Sequence, residues 1–140
     1  MRLEPRFRFA VYAAFAVLFV TGAAWLAADQ LKEGPSGDLW QAAAANLLML
    51  HGGATMATLM LLGALVPLHA RRAWRGKKNR LTGTVMVTVN AVLIGTAFGL
   101  YYLGSDTVRP WMSGMHIAFG FFLPLWLLVH VVRGKRGRRA

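Results

Sequence analysis

A chain of 140 residues that is 56% hydrophobic and 15% charged, with a mean hydropathy of +0.46, lies outside the composition of ordinary water-soluble domains and reads as a membrane protein. Its net charge of +11 does not call for nucleic acid, because fourteen of the sixteen basic residues fall in three blocks beside apolar runs, MRLEPRFR, RRAWRGKKNR and RGKRGRRA. The absence of cysteine excludes disulfides, iron–sulfur ligation and any thioether-linked cofactor.

Four apolar runs predict four transmembrane helices, roughly residues 7–29, 40–69, 81–104 and 111–133, each near the ~20 residues that cross ~30 Å of hydrocarbon. None of the runs contains Lys, Arg, Asp or Glu in its apolar core, so a buried carboxylate relay has no candidate. The first helix imitates a secretory signal, yet its apolar stretch is long and AAWLAADQ offers no clean A-x-A site, so an uncleaved helix is expected. It carries the small residues Ala13, Ala14, Gly22 and Ala23, which suit close helix packing. The segment DQLKEGPSGD then brings three of the five acids.

The second helix, with HGGATMATLMLLGALVPLH, holds His51 and His69, and Pro67 is expected to steer the latter. Helix three has no histidine; Gly83, Gly95 and Gly99 suit packing, and Asn90 is expected to bond across to another helix. Helix four, MSGMHIAFGFFLPLWLLVHVV, holds His116 and His130 with Pro124 between them. Trp40, Trp74 and Trp111 fall at the predicted interfaces as belt anchors. Basic blocks place both termini and the 70–80 loop in the cytoplasm, in a bacterial inner membrane. Connections of about ten residues then predict a single all-α domain over residues 1–140, an up-down-up-down four-helix bundle. A weak internal echo, VTGAAWLAAD against GTAFGLYYLGSD, suggests two related helical hairpins.

The histidines are the ionisable residues inside the runs, two on helix two and two on helix four. His116 and His130 are fourteen residues apart, about 40° short of four turns with a rise of ~21 Å; His51 and His69 are eighteen apart, about five turns and ~27 Å. Each pair therefore shares a helix face. Depth along the helices matches His51 with His116 and His69 with His130, and two imidazoles from different helices are what an iron porphyrin needs as axial ligands. The two separations differ by about 6 Å, which asks for a bend or a crossing angle. Gly52 and Gly53 after His51, and Gly114 and Gly120 around His116, leave room for a flat macrocycle, and Phe119, Phe121, Phe122 and Trp126 are candidates to pack on it. Haem propionates would seek basic or amide partners, for which Arg71, Arg72 and Arg133 are candidates at the basic end and Arg109 and Gln41 at the other.

On these four histidines and their glycine context the sequence resembles the four-helix di-haem membrane cytochromes b, the cytochrome b561-like proteins and the cytochrome b subunits of bacterial dehydrogenases. The resemblance implies two b haems bound by histidine pairs, and electron transfer across the membrane to or from a quinone or a partner redox subunit. It implies an electron-transfer subunit of a respiratory chain rather than a self-contained enzyme. Two other readings stay open: a copper or zinc protein using the histidines with Met49, Met56, Met60, Met112 or Met115, and a structural anchor or assembly subunit whose histidines only form hydrogen bonds.

Overall fold

The computed structural model describes residues 4–77 and 79–136. Parts of the basic blocks, Arg2, Lys78, Arg138 and Arg139, lie outside the described residues. Helix α1 spans Pro5–Leu31 and opens on a proline, whose missing N–H falls among the groups a first turn leaves unbonded anyway. Helix α2, Gly37–Leu65, passes without a break into a π turn at Val66–Ala70 and the short α3 at Arg71–Arg75. Helices α4, Arg80–Tyr102, and α5, Val108–Arg136, complete the chain. Four helical segments are long and apolar enough to cross a membrane: Pro5–Leu31, Gly37–Arg75, Arg80–Tyr102 and Val108–Lys135.

The chain divides into two compact units, Met1–His69 and Ala70–Ala140. The first is the antiparallel hairpin of α1 and α2; the second is the antiparallel hairpin of α4 and α5, preceded by α3.

Both connections within the hairpins are shorter than the sequence suggested, residues 32–36 and 103–107, because the helices run on past the apolar stretches. At Gly37 a Cβ would lie 2.5 Å from the carbonyl oxygen of Lys32, so only glycine closes the first turn. The segment expected as a 70–80 loop is mostly helix. RRAWR consists of good helix formers, and cations suit the end of a helix, so helix persists to Arg75 and the turn is confined to residues 76–79. There Lys77 and Asn79 take left-handed backbone angles, φ 52° and 50°. Arg80 fixes the turn by donating from Nε and Nη2 to the carbonyl oxygen of Trp74, at 3.3 and 3.1 Å, with its guanidinium 5.2 Å from the centre of the indole ring.

In hydrocarbon, moving an apolar side chain from lipid to a helix contact yields no hydrophobic gain, so hairpins depend on close packing and on polar bonds across the seam. That seam has a heptad rhythm in the second unit. The buried residues Thr82, Val89 and Thr96 of α4 recur every seven positions, as do His116, buried Leu123 and His130 of α5. An antiparallel register pairs the two series end for end, which is the arrangement of a two-helix supercoil. In the first unit Thr21 and Ala28 are buried on α1 and lie one heptad apart, as do His51 and buried Ala44 on α2. Large apolar side chains are left exposed instead: Phe9, Met60 and Leu125 are 74%, 77% and 66% exposed, as suits helices apolar enough to lie in hydrocarbon.

Asn90 departs from expectation. Its amide donates to the carbonyl oxygen of Met86 at 2.8 Å, one turn back on α4, rather than to another helix.

Candidate functional site

Three of the four histidines are held in the same way. In the first unit, Nδ1 of His51 lies 2.9 Å from the hydroxyl of Thr21 on α1. In the second, Nδ1 of His116 lies 2.9 Å from the hydroxyl of Thr96, and Nδ1 of His130 lies 3.0 Å from the hydroxyl of Thr82, both on α4. Each pair joins the two helices of one hairpin at a seam position, where the threonine is buried and the histidine half-buried.

The direction of these bonds follows from the second contact of each hydroxyl. A threonine hydroxyl has one proton to give. Thr21 directs it to the carbonyl oxygen of Val17 at 2.7 Å, and Thr96 directs it to that of Val92 at 2.7 Å. Thr82 reaches the carbonyl oxygen of Asn79 at 3.2 Å. With its proton so directed, the hydroxyl oxygen can accept from an imidazole Nδ1–H, the tautomer in which the ring's lone pair lies on Nε2. A metal-bound histidine is typically prepared in this manner, with one ring nitrogen donating to a fixed partner and the other able to ligate.

The residue after each threonine is small, and this shapes the ring's seat. A Cβ on Gly22 would stand 3.2 Å from Cε1 and 3.5 Å from Nδ1 of His51; on Gly83 it would stand 4.0 Å from Cε1 of His130. The third threonine is followed by Ala97. Gly22 and Gly83, expected to serve helix packing, thus border the histidine rings themselves. Gly99 does serve packing, since a Cβ there would lie 3.2 Å from Sδ of Met112 on α5. The glycines expected to make room beside the ligands have open flanks: a Cβ on Gly53, Gly114 or Gly120 would meet nothing within 4 Å. Gly52 is half-buried immediately after His51.

Thr82 does a second task. Its carbonyl oxygen accepts from Nε1 of Trp126 at 3.2 Å, and Trp126 is one turn before His130 on α5. Phe122 stacks on the same indole, with ring centres 5.6 Å apart and planes 21° apart. One residue of α4 therefore orients both an imidazole and an indole of α5.

His69 has a different setting. It lies in the π turn that follows Val66, half-buried, two residues after Pro67, whose missing N–H interrupts the α-helical ladder. An i→i+5 turn winds more slowly than an α-helix, so the five-turn count between His51 and His69 does not hold through this segment.

Among the described residues no group of three or more His, Asp or Glu side chains gathers as a metal site. His116 and His130 stand about 21 Å apart along one helix, too far to share one ion. Met49, Met56 and Met60 point outward at 70%, 68% and 77% exposure, as does Met115. Of the basic candidates, Arg109 donates from Nη1 to the carbonyl oxygen of Leu100 at 3.0 Å and so closes the end of α4. Arg71, Arg72, Arg133 and the amide residue Gln41 are exposed.

The threonines were absent from the candidates read from sequence, although the echo VTGAAW and GTAFG contains Thr21 and Thr96 at matching places. No protein-family model, no curated protein and no solved structure matches this chain.

Proposed function

We propose that this chain is a transmembrane b-type cytochrome, which carries electrons across a bacterial inner membrane and exchanges them with a quinone or a partner redox subunit. The observation that carries the reading is the threefold threonine–histidine contact, in which Nδ1 of His51, His116 and His130 meets a buried threonine hydroxyl of the facing helix, the kind of partner that orients a ligating imidazole. Imidazole differs from the other hydrogen-bonding side chains of these helices in having a second ring nitrogen that can ligate a metal.

In this reading His51, His69, His116 and His130 are the candidate ligands of two haems. Bound haem iron supplies one-electron redox chemistry within hydrocarbon. The protein's part is to hold and insulate. Thr21, Thr96 and Thr82 orient the rings of their histidines through the contact to Nδ1. Gly22 admits the ring of His51 close to the helix axis, and the apolar side chains of the helices keep water away. Exposed Arg133 is a candidate for propionate charge at the basic end, and Arg109 at the other. The basic ends, by the positive-inside rule, face the cytoplasm.

Spectra of the purified protein test the reading. Oxidised and dithionite-reduced samples should show a Soret band and a sharp reduced alpha band, and pyridine haemochrome should count two haems per chain. His116→Ala and His130→Ala should each halve that count. Protein made in haem-replete cells that shows no Soret band would leave the histidines as hydrogen-bonding residues of a structural subunit.

A further inference from the structure

The second unit carries a cationic shelf that its own acids do not neutralise. Arg71, Arg72 and Arg75 lie on α3, Lys77 in the turn after it and Arg80 at the start of α4. Arg133 and Lys135 belong to the same end, because Gly134 packs beside Asn79 of that turn, with Nδ2 of Asn79 3.2 Å from where a Cβ would stand. Between Asp38 and the end of the chain the sequence has one side-chain carboxylate, Asp106. It lies beyond the other end of α4, a helix of 23 residues and so about 35 Å long. The one ion pair among the described residues, Lys32 with Asp29, is in the first unit.

Within the shelf the arrangement is specific. Arg71 and Arg75 are four residues apart and so neighbours on one face of a helix, a spacing at which like charges repel. The helix end offsets part of that repulsion, but no carboxylate of this unit does. Both side chains are exposed, and with Ala70 and Trp74 they line an open depression of about 340 Å³. Arg80 is already engaged on the carbonyl and ring of Trp74, which holds the indole as one wall. Two guanidinium forks one turn apart match the oxygens of a phosphate, and an exposed indole beside them is the side chain that prefers the headgroup level of a bilayer.

We propose that the depression lined by Ala70, Arg71, Trp74 and Arg75 is a binding site for the phosphate of an anionic phospholipid, held between Arg71 and Arg75 with its glycerol backbone against Trp74. A lipid is favoured over a soluble anion because the shelf ends a helix long and apolar enough to span the bilayer, which brings headgroups to this level. None of these four side chains is a proposed iron ligand, and the test below separates lipid binding from the propionate role that the sequence also offers Arg71.

The test uses the full chain in nanodiscs of phosphatidylcholine with one-tenth phosphatidylglycerol, followed by detergent release and native mass spectrometry to count retained lipid. Wild type should keep phosphatidylglycerol in preference to phosphatidylcholine. Arg71→Gln/Arg75→Gln should lose that preference on the order of 20- to 30-fold, as expected for two surface arginines each worth about fivefold. Arg6→Gln/Arg8→Gln, which removes the same charge from another basic block, should keep it. Excess inorganic phosphate should not displace the lipid. Equal loss in both double variants would mean diffuse attraction and overturn the proposal, as would displacement by inorganic phosphate. Loss of haem without loss of phosphatidylglycerol in Arg71→Gln/Arg75→Gln would assign the pair to a propionate instead. Binding of polyglutamate to wild type in pure phosphatidylcholine, without retention of phosphatidylglycerol, would assign the shelf to an acidic protein and also overturn it.

Discussion

Replacing Thr96 with valine exchanges a hydroxyl for a methyl of nearly the same shape at a position only 4% exposed. Packing on the seam is preserved, while His116 loses the acceptor 2.9 Å from its Nδ1. A buried N–H deprived of its partner costs about 1–3 kcal/mol in proteins generally, and hydrogen bonds between membrane helices average about 0.6 kcal/mol with a ceiling near 1.7. A cost of roughly 1–1.5 kcal/mol is therefore expected, which corresponds to about a 5- to 12-fold change in an equilibrium constant. Two measurements separate tautomer from packing. In apo protein, nitrogen NMR of the His116 ring should show Nδ1 protonated in wild type and a mixture of tautomers in Thr96→Val. In haem titrations the affinity should fall by about tenfold, the lower end of what loss of a partner to a ligating histidine costs. Thr96→Ser keeps the hydroxyl and should behave as wild type in both. Because Thr82 and Thr96 are about 21 Å apart along α4, Thr82→Val should add its own effect on His130 without coupling. A Thr96→Val protein with wild-type tautomer and haem affinity, or a Thr96→Ser protein as impaired as the valine variant, would refute the role assigned to the hydroxyl.

Gly22→Ala should weaken haem retention several-fold, since its Cβ must push the His51 ring by a few tenths of an ångström against the 2.9 Å bond to Thr21; Gly83→Ala, with 4.0 Å to the His130 ring, should not. Haem titration of the two variants side by side decides this, and the reverse order would contradict the geometry. Trp126→Phe removes the indole N–H bond to Thr82 and should lower stability by about 1 kcal/mol in thermal unfolding, with the His130 tautomer unchanged by NMR. Lys32 is held above its ordinary value of 10.5 by its hydrogen bond to Asp29 and then by that carboxylate's charge. Anything the pair adds to stability is thus present below pH 10.5 and disappears as the pH rises past the raised value. On so exposed a turn Asp29→Asn should leave the thermal midpoint at pH 7 unchanged, and a clear drop would show that the first hairpin depends on its turn.

The spans, the hairpin order and the restriction of histidine to the second and fourth spans were all legible in the sequence, because hydropathy is a one-dimensional property and lipid imposes it over ~20 residues at a time. The partners of the histidines were not. Threonine in an apolar helix commonly returns its hydroxyl to the carbonyl four residues back, and Thr55, Thr58 and Thr84 do this as Thr21 and Thr96 do. Nothing local therefore distinguishes a threonine that also meets an imidazole. What distinguishes it is register. Thr82 and Thr96 are fourteen apart, and so are His116 and His130; on antiparallel neighbours two equal separations fall into register at both ends once they do so at one. Fourteen is also two heptads, so the offset of about 40° that a straight helix would give between His116 and His130 is removed when the pair of helices supercoils. The separation of eighteen between His51 and His69 is not a multiple of seven, and counting back eighteen from Thr21 leads to residue 3, outside the described residues. A seam of fixed heptad rhythm can serve both histidines of the second hairpin. In the first it serves His51, while His69 is presented by a π turn built around Pro67. The two hairpins thus reach the same count of histidines by different local means. Equal treatment of all four, which composition and spacing invite, would overlook this difference.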